Sequence, residues 1–213
     1  MSDQSKSVGI WTPANIVTMV RIVFCPAWLL LAEWARTAGL LWQGNAIAYL
    51  SFFVYLVLTL TDKLDGYLAR SRNEVSDFGK FLDPIADKLV VLIAMIYLGE
   101  VNLIPSWMTL VVLAREFLVS GLRMLVASEG TVVAASNLGK AKTATTMAGL
   151  CALLLYVALP ASLGACDPLL GSPSGLGFAL YWIGEVSMWV AVALTAWSGA
   201  DYFIKCWPLV SRS

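Results

Sequence analysis

Long apolar runs recur from one end of this chain to the other, and they constrain the fold more than any other feature. Each is close to or above the roughly 17–25 residues that an α-helix needs to cross a bilayer. The runs are continuous rather than alternating, so they predict helices and not the strands of a membrane barrel. The sequence therefore predicts an all-α, polytopic membrane protein. Its six transmembrane helices are expected at about residues 14–35, 44–62, 84–100, 104–127, 142–162 and 176–202.

Composition supports a membrane class for the whole chain. Of its 213 residues, 59% are hydrophobic and only 13% are charged, whereas a soluble domain carries about 25% charged residues. No internal repeat or low-complexity tract divides the sequence. We therefore expect one membrane domain over residues 1–213, with residues 1–12 as a polar juxtamembrane segment.

The placement of basic residues predicts the orientation in the membrane. One set of helix ends carries Lys6, Lys63, Arg70, Arg72, Lys80, Lys88, Lys140, Lys142, Lys205 and Arg212, whereas the opposite set carries only Arg36. The positive-inside rule then places both termini on the cytoplasmic side of the inner (cytoplasmic) membrane. The formal net charge is zero, so nothing in the overall charge favours nucleic acid as a partner.

Residue types that are missing exclude several kinds of chemistry. The chain has no histidine, which excludes a Ser-His or Cys-His nucleophile, a histidine general base and histidine-ligated zinc. Its four cysteines show no CxxC spacing, so they predict neither a disulfide framework nor a metal cage. A proton acceptor must be a carboxylate, Lys, Tyr or Cys, and a metal ion is expected to be a hard cation on oxygen ligands.

Four aspartates cluster between the second and third apolar runs. Asp62 and Asp65 are three residues apart, while Asp83 and Asp87 are four residues apart, so each pair would share one face of a helix. Four ionised carboxylates at one point repel one another, and a divalent cation relieves that repulsion. The alternative is that aspartates here cap helices, which is credible for Asp83 because Pro84 follows it. Capping explains one aspartate and not four.

These residues form a signature, DxxDGxxARx8GxxxDxxxD over residues 62–87, that resembles the CDP-alcohol phosphatidyltransferases without a departure. The resemblance implies six transmembrane helices, a homodimer and a cytoplasm-facing site. It also implies transfer of a phosphatidyl group from a CDP-lipid to an alcohol, with release of CMP. Carried over, it assigns Mg²⁺ or Mn²⁺ to Asp62, Asp65, Asp83 and Asp87, with Asp87 also the general base. It assigns the nucleotide to Asp62, Gly66, Ala69, Arg70 and Gly79.

The acceptor alcohol is indicated by cations elsewhere in the chain: Arg115, Arg123, Lys140 and Lys142. A cation within a bilayer needs a partner, so these residues either pair with the aspartates and lipid phosphates or bind an anionic acceptor. The segments AREFLVSGLR, GKAKT and PANIVTMVRIVFCP are similar to those of bacterial phosphatidylglycerophosphate synthases. That likeness implies CDP-diacylglycerol and sn-glycerol 3-phosphate as substrates, and Arg21 as a further phosphate contact.

Other functions remain open from the sequence. A sibling transferase would use inositol phosphate, serine or phosphatidylglycerol as acceptor. An intramembrane prenyltransferase also binds diphosphate through Asp-rich helices, but its motifs usually lie further apart. A divalent-cation transporter would place its carboxylates near mid-membrane rather than at one edge. Glu185, within the last apolar run, has no assigned role.

Overall fold

A computed structural model describes the backbone of residues 13–72, 77–128 and 137–210. Within these ranges it describes the side chains except those of residues 13, 14, 62–72, 77–81, 83, 84, 124–128, 137, 138, 140 and 205–210. The described backbone contains α-helices, one short 3-10 helix and no β-strand, which confirms the all-α prediction. The helices are α1 at Pro13–Thr37, α2 at Ala46–Arg72, α3 at Asp77–Glu100, α4 at Ser106–Ser128, α5 at Asn137–Ala158 and α6 at Gly175–Val210.

Several helices extend beyond the apolar runs that predict them, and two of these extensions contain aspartates of the signature. α2 continues to Arg72, so Asp62 and Asp65 lie within it. α3 begins at Asp77, which places Asp83 inside the helix and makes the capping interpretation of that residue wrong. Pro84 removes one backbone hydrogen bond from the helix interior, and the packing of α3 against α1 outweighs that loss. Both aspartate pairs therefore belong to regular helices rather than to a loop.

Compact connections join the helices at one end of the bundle. Asn45 caps α2, because its side-chain oxygen accepts a hydrogen bond from the Ile47 amide at 2.9 Å. Trp42 ties this connection to the end of α5: its amide donates to the Val157 carbonyl, and its carbonyl accepts from the Ala161 amide, both at 2.9 Å. We call the connections at residues 38–45, 101–105 and 159–174 the loop end.

The helices pack around a core that lies mainly between α1, α2, α3 and α5. Trp28 is fully enclosed, with ring centroids 5.2 Å from Tyr55 and 5.7 Å from Tyr97. Its indole nitrogen donates to the Ser51 carbonyl at 2.8 Å, which satisfies the one polar atom of that side chain. α6 packs against α5 and α4, where glycine allows close approach: a Cβ at Gly184 would lie 2.5 Å from the Leu153 side chain.

Three helices carry an uninterrupted stretch that is long and apolar enough to cross a membrane, by length and composition and among the described residues. They are Asn15–Thr37, Ala141–Ala158 and Gly175–Ile204. A shorter apolar segment, Ala46–Thr61, lies in α2. Large apolar side chains such as Leu30, Phe117 and Trp197 are exposed on the outer surface, as expected where lipid covers a protein. The molecule therefore has the surface of a membrane protein.

The loop end should be sensitive to substitution of Gly164. This residue has φ +86, and a Cβ there would lie 1.8 Å from the Ser174 carbonyl oxygen. We expect Gly164→Ala to lower the free energy of unfolding by about 3 kcal/mol or more, from backbone strain plus overlap. Gly39→Ala is the matched control, since Gly39 has φ +70 with nothing within 4 Å of a Cβ. It should cost about 1 kcal/mol. Unfolding midpoints in detergent measure both, and equal losses would contradict the assignment.

Candidate active site

A cavity of about 310 Å³ lies away from the loop end, and five helices line it. Its charged residues come from the N-terminal halves of α1, α3 and α5 and from α4. The polar and charged lining residues are Arg21, Thr59, Asp87, Lys88, Arg115, Glu116, Ser120, Arg123, Lys142, Thr143 and Thr146. Apolar side chains, including Leu58, Val90 and Val112, form the rest of the wall. We call this space the central cavity.

The central cavity has a clear excess of positive charge. Five of its described lining residues are cations and two are carboxylates, Asp87 and Glu116. Its partly apolar walls strengthen electrostatic attraction, because they keep high-dielectric water away from the charges. Guanidinium and ammonium groups are the side chains that proteins use to bind phosphate. The cavity is therefore suited to a phosphorylated ligand.

Asp87 is held at the cavity by Arg21, across the interface between α3 and α1. The Arg21 Nη1 atom donates to Asp87 Oδ1 at 3.1 Å. The arginine side chain is only 2% exposed, whereas that of Asp87 is 50% exposed. A buried cation thus anchors a carboxylate that is half exposed and lines the cavity. This arrangement suits a general base or a metal ligand, and it gives Arg21 a partner that the sequence did not predict.

Glu116 joins two of the predicted acceptor residues. Its Oε1 atom accepts a hydrogen bond from Arg115 Nη1 at 3.0 Å and a second one from the Lys142 ammonium. Arg115 also donates through Nη2 to the Ser198 hydroxyl of α6 at 3.1 Å. Arg115 and Lys142 are therefore fixed by one carboxylate at the junction of α4, α5 and α6. The positive charges of these two residues are therefore balanced by Glu116 rather than by the aspartates.

Two further cations complete the described lining. Lys88, next to Asp87 in α3, donates to the Ser120 hydroxyl of α4. Arg123 is exposed and forms no ion pair with any residue whose side chain the structure describes. Among the described side chains, four cations of the cavity are thus engaged with protein groups, and Arg123 is exposed.

Several predicted site residues lie outside the described side chains. The backbone places Asp62, Asp65, Gly66, Ala69 and Arg70 in α2. It places Gly79 and Asp83 in α3, and Lys140 in α5. Asp87, Arg21, Arg115, Arg123 and Lys142 are described, and the central cavity brings these five together. Asp87 offers oxygen ligands of the kind that Mg²⁺ and Mn²⁺ accept, but the described side chains include no group of three or more metal-ligating residues that could hold an ion.

Sequence reasoning missed several residues that build the cavity. From the sequence, Lys88 counts only among the basic residues that predict orientation, and Glu116 only as a neighbour of Arg115. Ser198 and Gly199 of α6 lie 83 or more residues from Arg115 along the chain. Ser198 nevertheless contacts the guanidinium group of Arg115, and Gly199 lies against the aliphatic part of its side chain. A Cβ at Gly199 would lie 2.9 Å from Arg115 Cγ. No local pattern indicates such a contact, although an acidic residue beside an arginine in an apolar run was a usable signal for Glu116.

The chain matches a known protein family over most of its length. The sequence model of the CDP-alcohol phosphatidyltransferase family matches residues 11–197, and the chain belongs to that family. It is therefore a CDP-alcohol phosphatidyltransferase, which leaves the prenyltransferase and cation-transporter hypotheses without support.

Individual relatives resemble nearly the whole chain. A CDP-diacylglycerol–glycerol-3-phosphate 3-phosphatidyltransferase of Bacillus subtilis (strain 168) is 37% identical, over 93% of this chain and 97% of its own length. A protein of the same name from Rickettsia typhi is 35% identical, over 90% and 95% respectively. A probable phosphatidylglycerophosphate synthase of Mycobacterium tuberculosis is 31% identical, over 90% and 80%. The similarity extends into the last two helices, beyond the segments that carry the resemblance in the sequence.

Arg21 should matter for activity through Asp87. We expect Arg21→Gln to lower CMP release at least about 10-fold, because a misplaced general base or ligand loses alignment with the reacting groups. Arg36→Gln is the matched control: Arg36 lies on the same helix and is paired with Glu33 at 2.9 Å, away from the central cavity. It should change activity less than about twofold, as most exposed ion pairs contribute little. Full activity of Arg21→Gln would contradict the role given to this ion pair.

Proposed function

We propose that this chain transfers the phosphatidyl group of CDP-diacylglycerol to sn-glycerol 3-phosphate, forming phosphatidylglycerol phosphate and CMP. One observation carries the proposal: Asp87 lines the same cavity as Arg115, Arg123 and Lys142. A base for a hydroxyl group and a set of cations for a phosphate thus share one space. The names of the relatives, which specify glycerol 3-phosphate as acceptor, support the same reaction.

The acceptor is proposed to bind by its phosphate to the cations of α4 and α5. Arg123 is exposed in the cavity, and Arg115 and Lys142 are held beside it by Glu116. Lys140, two residues before Lys142 in α5, is proposed as a further contact. A phosphomonoester carries nearly two negative charges at neutral pH, so a cluster of cations favours it over an acceptor without net charge, such as serine. This preference supports glycerol 3-phosphate or inositol phosphate as the acceptor.

The four aspartates are proposed to hold Mg²⁺ or Mn²⁺. Asp62 lies ten residues before the end of α2, and Asp87 lies ten residues after the start of α3. Each is therefore about 15 Å along its helix from the end that adjoins residues 73–76, and this equal spacing supports a common site for the two pairs. A bound divalent cation would neutralise diphosphate charge and stabilise the departing CMP. Gly66, Ala69, Arg70 and Gly79 are proposed to contact the nucleotide on the same two helices.

In the proposed step, a hydroxyl oxygen of glycerol 3-phosphate attacks the phosphorus of the phosphatidyl group. A new P–O bond forms as the P–O bond to the CMP phosphate breaks, and the bridging oxygen leaves with CMP. Asp87 takes the hydroxyl proton, while Arg21 keeps its carboxylate in place through the bond at 3.1 Å. The cations of α4 and α5 orient the acceptor so that its hydroxyl meets Asp87.

The site is proposed to face the cytoplasm from within the inner membrane. α3 has 24 residues and α4 has 23, and at about 1.5 Å per residue each is long enough to cross the apolar layer. Five charged residues of these two helices line the cavity: Asp87, Lys88, Arg115, Glu116 and Arg123. With the three apolar spans and α2, these two helices would give six crossings and two cytoplasmic termini. Residues 1–213 would form one domain, and the family resemblance supports a homodimer.

A purified enzyme assay tests the function. CDP-diacylglycerol in mixed micelles, with Mg²⁺ or Mn²⁺, is offered glycerol 3-phosphate, inositol phosphate, serine or phosphatidylglycerol in turn. We expect CMP release with glycerol 3-phosphate only, loss of release with a chelator, and recovery when the metal ion is restored. Asp87→Asn should reduce the rate at least about 100-fold, the usual range for a lost general base. Release with a different acceptor alone would assign the chain to a sibling function.

Substitutions in α4 and α5 test the acceptor site. Arg123→Ala and Lys142→Ala should each raise the KM for glycerol 3-phosphate about 10-fold, because each removes a charged partner of the phosphate. The KM for CDP-diacylglycerol should change less than about twofold. Arg36→Ala, which removes a cation outside the cavity, should leave both KM values unchanged. Equal increases in the two KM values would indicate a structural role for these residues.

A further inference from the structure

We propose that Glu116 is a positioning residue for the acceptor phosphate: it holds Arg115 and Lys142 together so that both meet the phosphate at once. The proposal rests on the proposed function and adds a residue of opposite charge to the acceptor site. A carboxylate would normally repel a phosphate, so its presence in a phosphate-binding cavity needs an explanation. The contacts of Glu116 supply one.

A single oxygen of Glu116 serves both cations. Oε1 accepts from Arg115 Nη1 at 3.0 Å and also from the Lys142 ammonium, while these cations belong to different helices, α4 and α5. The three side chains are between 11% and 19% exposed, so little water reaches them. In such surroundings two cations without a shared anion would repel each other and turn apart. Glu116 therefore sets the spacing of the pair.

The far side of Arg115 is anchored to α6. Nη2 donates to the Ser198 hydroxyl at 3.1 Å, and that hydroxyl donates in turn to the Thr195 carbonyl at 3.2 Å. Ser198 is 4% exposed, so this is an interior contact. Gly199 leaves room for the arginine stem, since a Cβ there would lie 2.9 Å from Arg115 Cγ. The chain of contacts runs from α6 through Arg115 and Glu116 to Lys142, and it leaves the guanidinium little freedom to turn.

Correct spacing matters because of the shape of the acceptor. In glycerol 3-phosphate the phosphate and the reacting hydroxyl lie at opposite ends of a three-carbon chain. Where the phosphate binds therefore determines whether the hydroxyl reaches Asp87, on α3 across the cavity. Two cations in fixed positions bind a phosphate with less loss of side-chain entropy than two mobile ones. Glu116 should thus act on acceptor binding and leave lipid binding unchanged.

The test compares Glu116→Ala with Glu116→Gln in the full-length protein. The alanine variant should raise both the KM for glycerol 3-phosphate and its Kd, measured by ligand-induced thermal stabilisation, about 10-fold. The glutamine variant keeps an oxygen for Arg115 and Lys142, so it should show a smaller increase. Neither variant should change the KM for CDP-diacylglycerol more than about twofold. Glu33→Ala is the matched control, because Glu33 also pairs with an arginine but does so outside the cavity.

Two other results with the Glu116 variants would contradict the proposal, and the measurements distinguish them. An unchanged or lower acceptor KM in Glu116→Ala would mean that the carboxylate competes with the phosphate. A rise in both KM values together with a lower Tm in both variants would mean a purely structural role. Wild-type protein and Lys142→Ala, assayed alongside, separate the two levels of inference. If they behave as expected while the Glu116 variants do not, only the positioning role fails; if wild-type protein neither binds nor uses glycerol 3-phosphate, the proposed function fails.

Discussion

Charged side chains within an apolar helical bundle need partners, and in this protein several of them find partners across helix interfaces. Arg21 of α1 pairs with Asp87 of α3, and Lys142 of α5 pairs with Glu116 of α4. Arg115 of α4 reaches Ser198 of α6. An unpartnered charge in such surroundings is costly, so each contact favours one arrangement of the helices. The same groups that bring the helices together also line the central cavity.

The bundle divides stability and function between its two ends. Toward the loop end, packed aromatic rings around Trp28, tight turns such as Gly164 and backbone hydrogen bonds such as those of Trp42 hold the helices together. At the central cavity, polar contacts replace much of that packing and leave about 310 Å³ open. An enzyme needs such a space, because its ligands must enter and its charged groups must remain available. A firmly packed loop end allows the other end to remain open.

Inside the cavity, the two described carboxylates lie in different surroundings. Asp87 is half exposed and anchored on one side, which suits a group that exchanges a proton or binds a cation. Glu116 is mostly buried and saturated by two cations, which suits a group that keeps others in place. The two carboxylates are alike in chemistry and differ in exposure and partners. Their surroundings, rather than their residue type, support the separate roles proposed for them.

The sequence alone predicts the helical class, the apolar surface and the phosphatidyltransferase signature at residues 62–87, and it points to Asp87, Arg115, Arg123 and Lys142 as candidate site residues. These features depend on residue type and on spacing within one helix, which a linear pattern records. It did not reveal the pairing of Arg21 with Asp87, the shared oxygen of Glu116, or the contact of α6 with Arg115. Those contacts follow from the tertiary structure, because each joins residues 26 to 83 positions apart whose meeting depends on how whole helices pack.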